Sequence, residues 1–291
     1  MNPYDREADN ARILTRLSIF LNEHADFVSA DMVHSLAEEF SLTPDEAFSM
    51  LLAGGLDMNV SENPRDARIF REDFPRMLHA LSREEFMRDP YYRFIRVPDM
   101  QVGTCELAHE TLKAYEPFVC DDRRHFPDGA SLPQIGYFHE DFSYPVMRED
   151  GRVWMSVTPC EVATVAPAAR QAHGHALTLG LGLGYFMYLA SENPNVETVT
   201  AVERNESVIN LFETHLLPQF PHKDKVRILR GDAFELTPKL YSSHKYNFVF
   251  ADTWHDAGDG VHMYLKFKEM EALAPEMEFS YWIEETIKCY L

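Results

Sequence analysis

The chain has 291 residues, 45% hydrophobic and 12% aromatic, the composition of a folded, core-forming protein rather than a disordered one. Its 47 acidic side chains outweigh 27 basic ones, and a net charge of -20 repels phosphate backbones and anionic lipid, which argues against a nucleic-acid or membrane-surface partner. The acidity is uneven, net -14 over residues 1–150 and net -6 over 151–291, so the second half is less hostile to an anionic ligand. Cys105, Cys120, Cys160 and Cys289 stand far apart with no Cys-x-x-Cys pair, a spacing that offers neither a metal knuckle nor a disulfide framework. A polar, acidic start and the lack of any apolar run near the roughly 20 residues of a membrane helix point to a soluble, cytoplasmic chain.

From Ala11 to about Arg88 apolar residues recur at helical spacing: Ile13, Leu17, Phe20 and Leu21, then Met32, Leu36 and Phe40, then Phe48, Leu51 and Leu52. Between His34–Phe40 and Asp45–Leu52 the turn Ser41-Leu42-Thr43-Pro44 supplies a Thr N-cap and a Pro at the first helical position. Such a pair is either a DNA-reading helix-turn-helix or a plain helical hairpin. Asp45 and Glu46 stand where a recognition helix wants basic or amide side chains, which favours the hairpin. The stretch Asp89 to Asp150 is rich in proline, aromatics and turn residues and reads as irregular. Glu149-Asp150-Gly151 is a tight turn feeding a short strand, Arg152 to Val157. The expected organisation is a mainly helical N-terminal domain over 1–150 and an α/β domain over 151–291.

After that turn the pattern becomes regular. Thr158-Pro159-Cys160-Glu161 reads as a capping box opening a helix that runs to about Ala172. His175–Leu179, Thr198–Val202, Val226–Leu229, Tyr246–Ala251 and Met277–Trp282 are strand candidates. Helical stretches Tyr185–Ser191, Ser207–Leu217, Ala233–Tyr241 and Val261–Ala272 alternate with them. Strands alternating with helices predict right-handed βαβ units and a Rossmann-like, doubly wound, mostly parallel sheet.

A strand that ends in glycines and opens a helix holds an adenosine-type ligand well, because the missing side chains expose backbone N–H groups. Gly180, Gly182 and Gly184 form such a turn, and Tyr185 occupies the place of the third glycine of a dinucleotide fingerprint, which weakens a nicotinamide or flavin reading. Glu203 closes the second strand, where an acidic side chain accepts hydrogen bonds from ribose hydroxyls. Asp232 follows the third strand and is placed both to meet an adenine amino group and to cap a helix. Asp252 ends the fourth strand and so belongs in the ligand crevice.

The runs His175-Ala-Leu-Thr-Leu-Gly-Leu-Gly-Leu-Gly184, Ala201-Val-Glu-Arg204, Arg230-Gly-Asp-Ala-Phe-Glu235 and Phe248-Val-Phe-Ala-Asp252 resemble the successive motifs of class I S-adenosylmethionine-dependent methyltransferases, in their spermidine-synthase-like branch. The resemblance covers Gln171 to Gly260. It implies S-adenosylmethionine as cofactor, with Gly180, Leu181, Gly182, Gly184 and Arg204 along it, Glu203 at its ribose, and Asp232 with Ala233 at its adenine. Two departures matter. Spermidine synthases carry an Asp inside the glycine loop and an Asp-x-x-Asp at the fourth strand; here stand Leu183 and Asp252-Thr-Trp-His255-Asp256, so methyl transfer is favoured over aminopropyl transfer. Only nine residues follow Trp282, so the usual final antiparallel pair is missing, or the stretch before Thr158 or a second copy in a homodimer covers the sheet edge.

Methyl transfer needs in-line positioning and, for an amine or hydroxyl acceptor, a base. Asp252 and His255 are the catalytic candidates, with Trp254 walling the pocket and Tyr144 and Tyr185 as further acceptor-site aromatics. The acidic N-terminal half suits a small, cationic or neutral acceptor. The alternatives are a non-catalytic sensor or scaffold that keeps the cofactor, and an aminopropyltransferase.

Overall fold

The computed structural model describes residues 3–291. In chain order its strands are β1 (Leu78–Leu81), β2 (Met100–Val102), β3 (Cys105–Leu112), β4 (Phe118–His125), β5 (Ser131–Phe138) and β6 (Phe142–Glu149). They continue with β7 (Arg152–Ser156), β8 (Gly174–Leu179), β9 (Val196–Glu203), β10 (Val226–Arg230), β11 (Phe248–Ala251) and β12 (Glu278–Tyr281). The chain divides into two compact units, residues 1–85 with 111–143, and residues 86–110 with 144–291. The dividing line is therefore not a single cut near Gly151: the chain passes between the units three times.

In the first unit, helices Pro3–Glu23, Ala30–Phe40, Pro44–Gly55 and Pro64–Glu72 accompany the sheet β1-β5-β4. Ile13, Leu17 and Phe20 are buried as their spacing predicts, but the second helix turns a different face inward. Val33 and Ala37 are buried while Met32 and Phe40 are exposed. Thr43 caps the third helix in a complete capping box, its Oγ1 accepting from the Glu46 N–H while Glu46 Oε2 accepts from the Thr43 N–H. That helix buries Ala47, Phe48, Leu52 and Ala53, and Phe48 stacks on Tyr137 of β5 with ring centroids 3.8 Å apart. Asp45 Oδ1 accepts from Tyr137 Oη at 2.8 Å and bonds His139 Nε2 at 2.7 Å. The residue that spoke against DNA reading thus bonds two side chains of the same unit.

Buried carboxylates in this unit all meet arginines. Asp73 takes two bonds from Arg6 at 2.7 and 2.6 Å, Asp66 pairs with Arg12 at 3.0 Å, and Asp9 lies between Arg65 and Arg68. Their side chains are 0–2% exposed, so each pairing offsets a desolvation cost that a lone carboxylate would suffer in full.

The stretch expected to be irregular is mostly sheet. Residues 100–156 form β2 to β7, with β2-β3-β6-β7 as one four-stranded sheet and β4 and β5 paired antiparallel. Proline hid this pattern. Pro133 sits where the β4–β5 register shifts, between the Asp121↔Gln134 and Arg124↔Leu132 pairs, and before β1 begins to pair at Ile135. Pro145 precedes the first β6–β7 pair, Val146↔Ser156. Pro133 thus stands where no ladder hydrogen bond needs its missing N–H.

In the second unit β8 to β12 form a fully parallel sheet in the order β10-β9-β8-β11-β12, with each strand within a few residues of its expected span. Numbered from β8, that is 3-2-1-4-5, the doubly wound arrangement, and the strand order reverses between β8 and β11. This is the Rossmann-like α/β fold that the alternation predicts. Among the described residues no antiparallel pair follows β12; helix Glu284–Lys288 comes after it. No described helix is long and apolar enough to cross a membrane.

Candidate ligand crevice

The carboxyl ends of the parallel strands are locked in register by backbone bonds. Gly180 N–H donates to Val202 O at 3.0 Å, Gly231 N–H to Glu203 O at 2.9 Å, and Asp252 N–H to Leu179 O at 2.9 Å. Gly180, Glu203, Gly231 and Asp252 therefore leave their strands at one level, around the switch point, where open α/β sheets bind ligands.

The turn itself demands glycine twice over. Gly180 has φ +102, and a Cβ there would lie 2.0 Å from the Asp252 carbonyl oxygen. Gly182 has φ +56, and its Cβ would strike the Met155 methyl at 2.0 Å. The chain so brings the Leu181 N–H to 3.4 Å from Glu203 Oε2, while Glu203 Oε1 accepts from Asn205 N–H at 2.8 Å. Burial pushes the Glu203 carboxyl up, against the pull of these backbone donors.

A cavity of about 270 Å³ opens here, lined by Gly180, Leu181, Gly182, Glu203, Arg204, Asp232, Ala233 and Asp252. Every residue expected along the cofactor except Gly184 lies in that lining; Gly184 instead starts helix Tyr185–Glu192 and packs on Phe212. Asp232 fills both of its expected places, since its Oδ1 also caps helix Ala233–Tyr241 by accepting from Phe234 N–H at 2.8 Å. Trp254 is 4% exposed, lines the cavity as expected, and its Nε1 has no hydrogen-bond partner.

His255 is not in the lining. Its Nε2 donates to Val153 O at 3.1 Å and its ring lies 6.0 Å from that of Trp154, so it fastens the β6–β7 hairpin rather than facing the crevice. Tyr144 also stands elsewhere, its hydroxyl bonded to Glu110 at 3.2 Å. Tyr185 lies beside the turn, donates to Asp89 at 2.8 Å, and lines a smaller cavity described next.

That smaller cavity, about 30 Å³, is continuous in its walls with the first through Met155, Gly180, Leu181 and Asp252. Glu161 and Asp252 both line it, and no basic side chain does. Burial pushes the Asp252 carboxyl up to about 7, and burial together with the Asp252 charge pushes Glu161 well up. Here the capping box expected at Thr158 is only half made: Thr158 Oγ1 accepts from Glu161 N–H at 3.5 Å, but the Glu161 carboxylate does not return to the Thr158 N–H. Sequence reasoning gave Glu161 to the Thr158 cap, which by itself accounts for an acid at that position. It also missed Trp154 and Met155 of β7, which line the main cavity. Their place directly before the helix leading into β8 was the available signal.

No family model matches the chain, and no curated protein matches it. Solved structures are similar over part of it. A cofactor-bound Rv0187 from MTB is 19% identical with a TM-score of 0.30, over 38% of this chain and 48% of its own. Spermidine synthase from Thermotoga maritima is 14% identical with a TM-score of 0.35, over 51% and 57%. A precorrin 8W decarboxylase from Methanobacterium thermoautotrophicum is 20% identical with a TM-score of 0.30, over 39% and 56%. The chain spans about half the length of these structures. The strand order and register of β8 to β12 by themselves identify the second unit as a Rossmann-like, doubly wound α/β fold.

Proposed function

We propose that the chain is an S-adenosylmethionine-dependent methyltransferase acting on a small acceptor. One observation carries this reading: a single cavity collects the glycine turn, Glu203, Asp232 and Asp252 from four successive strand ends. The residues fit the cofactor. The two turn glycines leave the Leu181 backbone bare, Glu203 offers the ribose two carboxylate oxygens, and Asp232 with Ala233 stands where the adenine edge would lie. S-adenosylmethionine, when bound, supplies an electrophilic methyl group.

The chain's own part is to bind, orient and accept a proton. Trp254 and Met155 exclude water from the cavity wall. Asp252, raised by burial, is a proton acceptor matched to neutral conditions, and would take the proton that an amine or hydroxyl acceptor loses. We assign that role to Asp252 alone, because the His255 ring is committed to Val153. Leu183, 3% exposed, stands in place of the loop Asp of spermidine synthases, which disfavours aminopropyl transfer.

Calorimetry with S-adenosylmethionine, S-adenosylhomocysteine, decarboxylated S-adenosylmethionine and NAD tests the reading. The first two bind and NAD does not, and Glu203→Ala weakens both by about tenfold to a hundredfold through loss of charge-assisted bonds. Failure of all four to bind overturns it. Binding without labelled product across amine, carboxylate and small-phenol acceptors makes the protein a sensor rather than an enzyme.

A further inference from the structure

The sheet of the first unit, ordered β1-β5-β4, has two edges of different construction. β4 carries the run Asp121-Asp122-Arg123-Arg124, and its register against β5 shifts twice. Charges and irregularities of this kind discourage an edge strand from pairing further. β1 is Leu-His-Ala-Leu, without lysine, proline or bulge, and its register against β5 is unbroken from Leu78 to Leu81. Among the described residues it pairs with β5 alone. None of its four residues is buried, whereas seven of the eight residues of β5 are.

A groove of about 590 Å³ adjoins that strand, more than twice the volume of the crevice in the second unit. Leu78 and Ala80, which alternate onto one face of β1, line it together with Tyr137 of β5. Helix Pro44–Gly55 adds Met50, 46% exposed, and helix Pro64–Glu72 adds Phe70. The charged groups in the lining are Asp45, Glu46 and Arg71, and Arg71 is paired with Glu72 at 3.3 Å. Asp45 and Glu46 meet no lysine or arginine among the described residues. The unit as a whole holds 23 acidic against 11 basic side chains, net -12.

An unguarded edge beside a groove on its own side-chain face suits an added strand, whose backbone bonds the edge while alternate side chains fill the groove. Four residues offer only a few such bonds, so the apolar lining supplies the rest. A small apolar ligand, or a helix laid in the groove, leaves the outer N–H and C=O groups of β1 to water. The acidity of the unit selects a basic segment over an acidic one. We propose that β1 and this groove form a docking site for an extended, basic segment of a partner protein with apolar residues at alternate positions. The site lies within the first unit and does not depend on the reading of the crevice.

Panning a phage-displayed library of random short peptides on the full chain, then measuring fluorescence polarisation of the synthetic consensus peptide, tests the site. Enriched sequences are expected to carry net positive charge and to alternate apolar with polar residues. Ala80→Lys blunts the edge at an exposed position, and Met50→Lys places a charge in the lining from a different element. Each is expected to weaken the consensus peptide by about tenfold while keeping the wild-type melting temperature. Should Ala80→Lys fail to fold, Met50→Lys carries the test. Glu46→Gln, which keeps the capping box, weakens the peptide by about twofold to fivefold.

Two consensus peptides N-methylated at odd or at even positions read the backbone. In an added strand only one set of N–H groups faces β1, so one peptide loses about tenfold and the other binds as before. The proposal is overturned if no sequence is enriched, if the enriched sequences are acidic, or if both lysine variants bind the consensus as wild type does. It is overturned equally if the two methylated peptides behave alike: loss in both marks a helical occupant, and retention in both a groove filled by side chains alone.

Discussion

The two units treat their carboxylates in opposite ways. In the first, Asp9, Asp66 and Asp73 each meet at least one arginine, so their charge is compensated within the unit. In the second, Glu161 and Asp252 share a cavity with no basic side chain, and Glu203 is met by backbone N–H groups. A paired carboxylate is part of the architecture; a part-buried one without a cation is a cost, tolerated where a ligand completes it. The contrast separates the acidity that holds the protein together from the acidity that its crevice presents.

Breaking the architectural side gives the largest effect. Asp73→Ala leaves the Arg6 guanidinium buried without its main partner and is expected to cost about 3–5 kcal/mol, read by denaturant unfolding. A loss below about 1 kcal/mol would show that the pair is not structural.

The second prediction has the opposite sign. Asp252 is held near 7 in the folded protein against about 4 when unfolded, so the folded state holds the extra proton between those values. The contribution of Asp252 to the stability of the ligand-free protein is therefore full below about pH 4, falls as pH rises towards 7, and stays lost above it. Asp252→Asn is expected to reduce that fall, leaving the part that belongs to Glu161. It melts above wild type near pH 8, by roughly 2–4 °C for each kcal/mol relieved, and alongside wild type near pH 4. Equal melting temperatures near pH 8 would mean that the crevice carboxyls carry no such cost.

The smallest effect compares like with like. Glu46→Ala removes a closed capping box and lowers the melting temperature, whereas Glu161→Ala, which breaks no carboxylate bond, does not. Equal losses would place Glu161 among the caps.

The second unit was the more legible because its signals are local and repeated. A strand's apolar run, a glycine turn and an acid at the next strand end recur within a few residues, and the helices between them force parallel pairing. The β-rich stretch of residues 100–156 stayed hidden because Pro133 and Pro145 read as breakers, and only the register shows that one stands at a shift and the other ahead of the first β6–β7 pair. Met32 and Phe40 read as core because spacing shows that a helix has an apolar stripe, not which side is covered.

The sequence by itself determined the Rossmann-like order of β8 to β12 and the cavity places of Gly180, Glu203, Asp232 and Asp252, since strand ends converge on one level in any doubly wound sheet. Tertiary structure alone decided the directions of individual side chains. It drew His255 onto Val153 and away from the crevice, and it turned Glu161 from its cap towards Asp252. A motif fixes where a backbone leaves the sheet. Which partner a side chain takes depends on groups distant in the chain, and these meet only when the hairpin, the turn and the helix have packed.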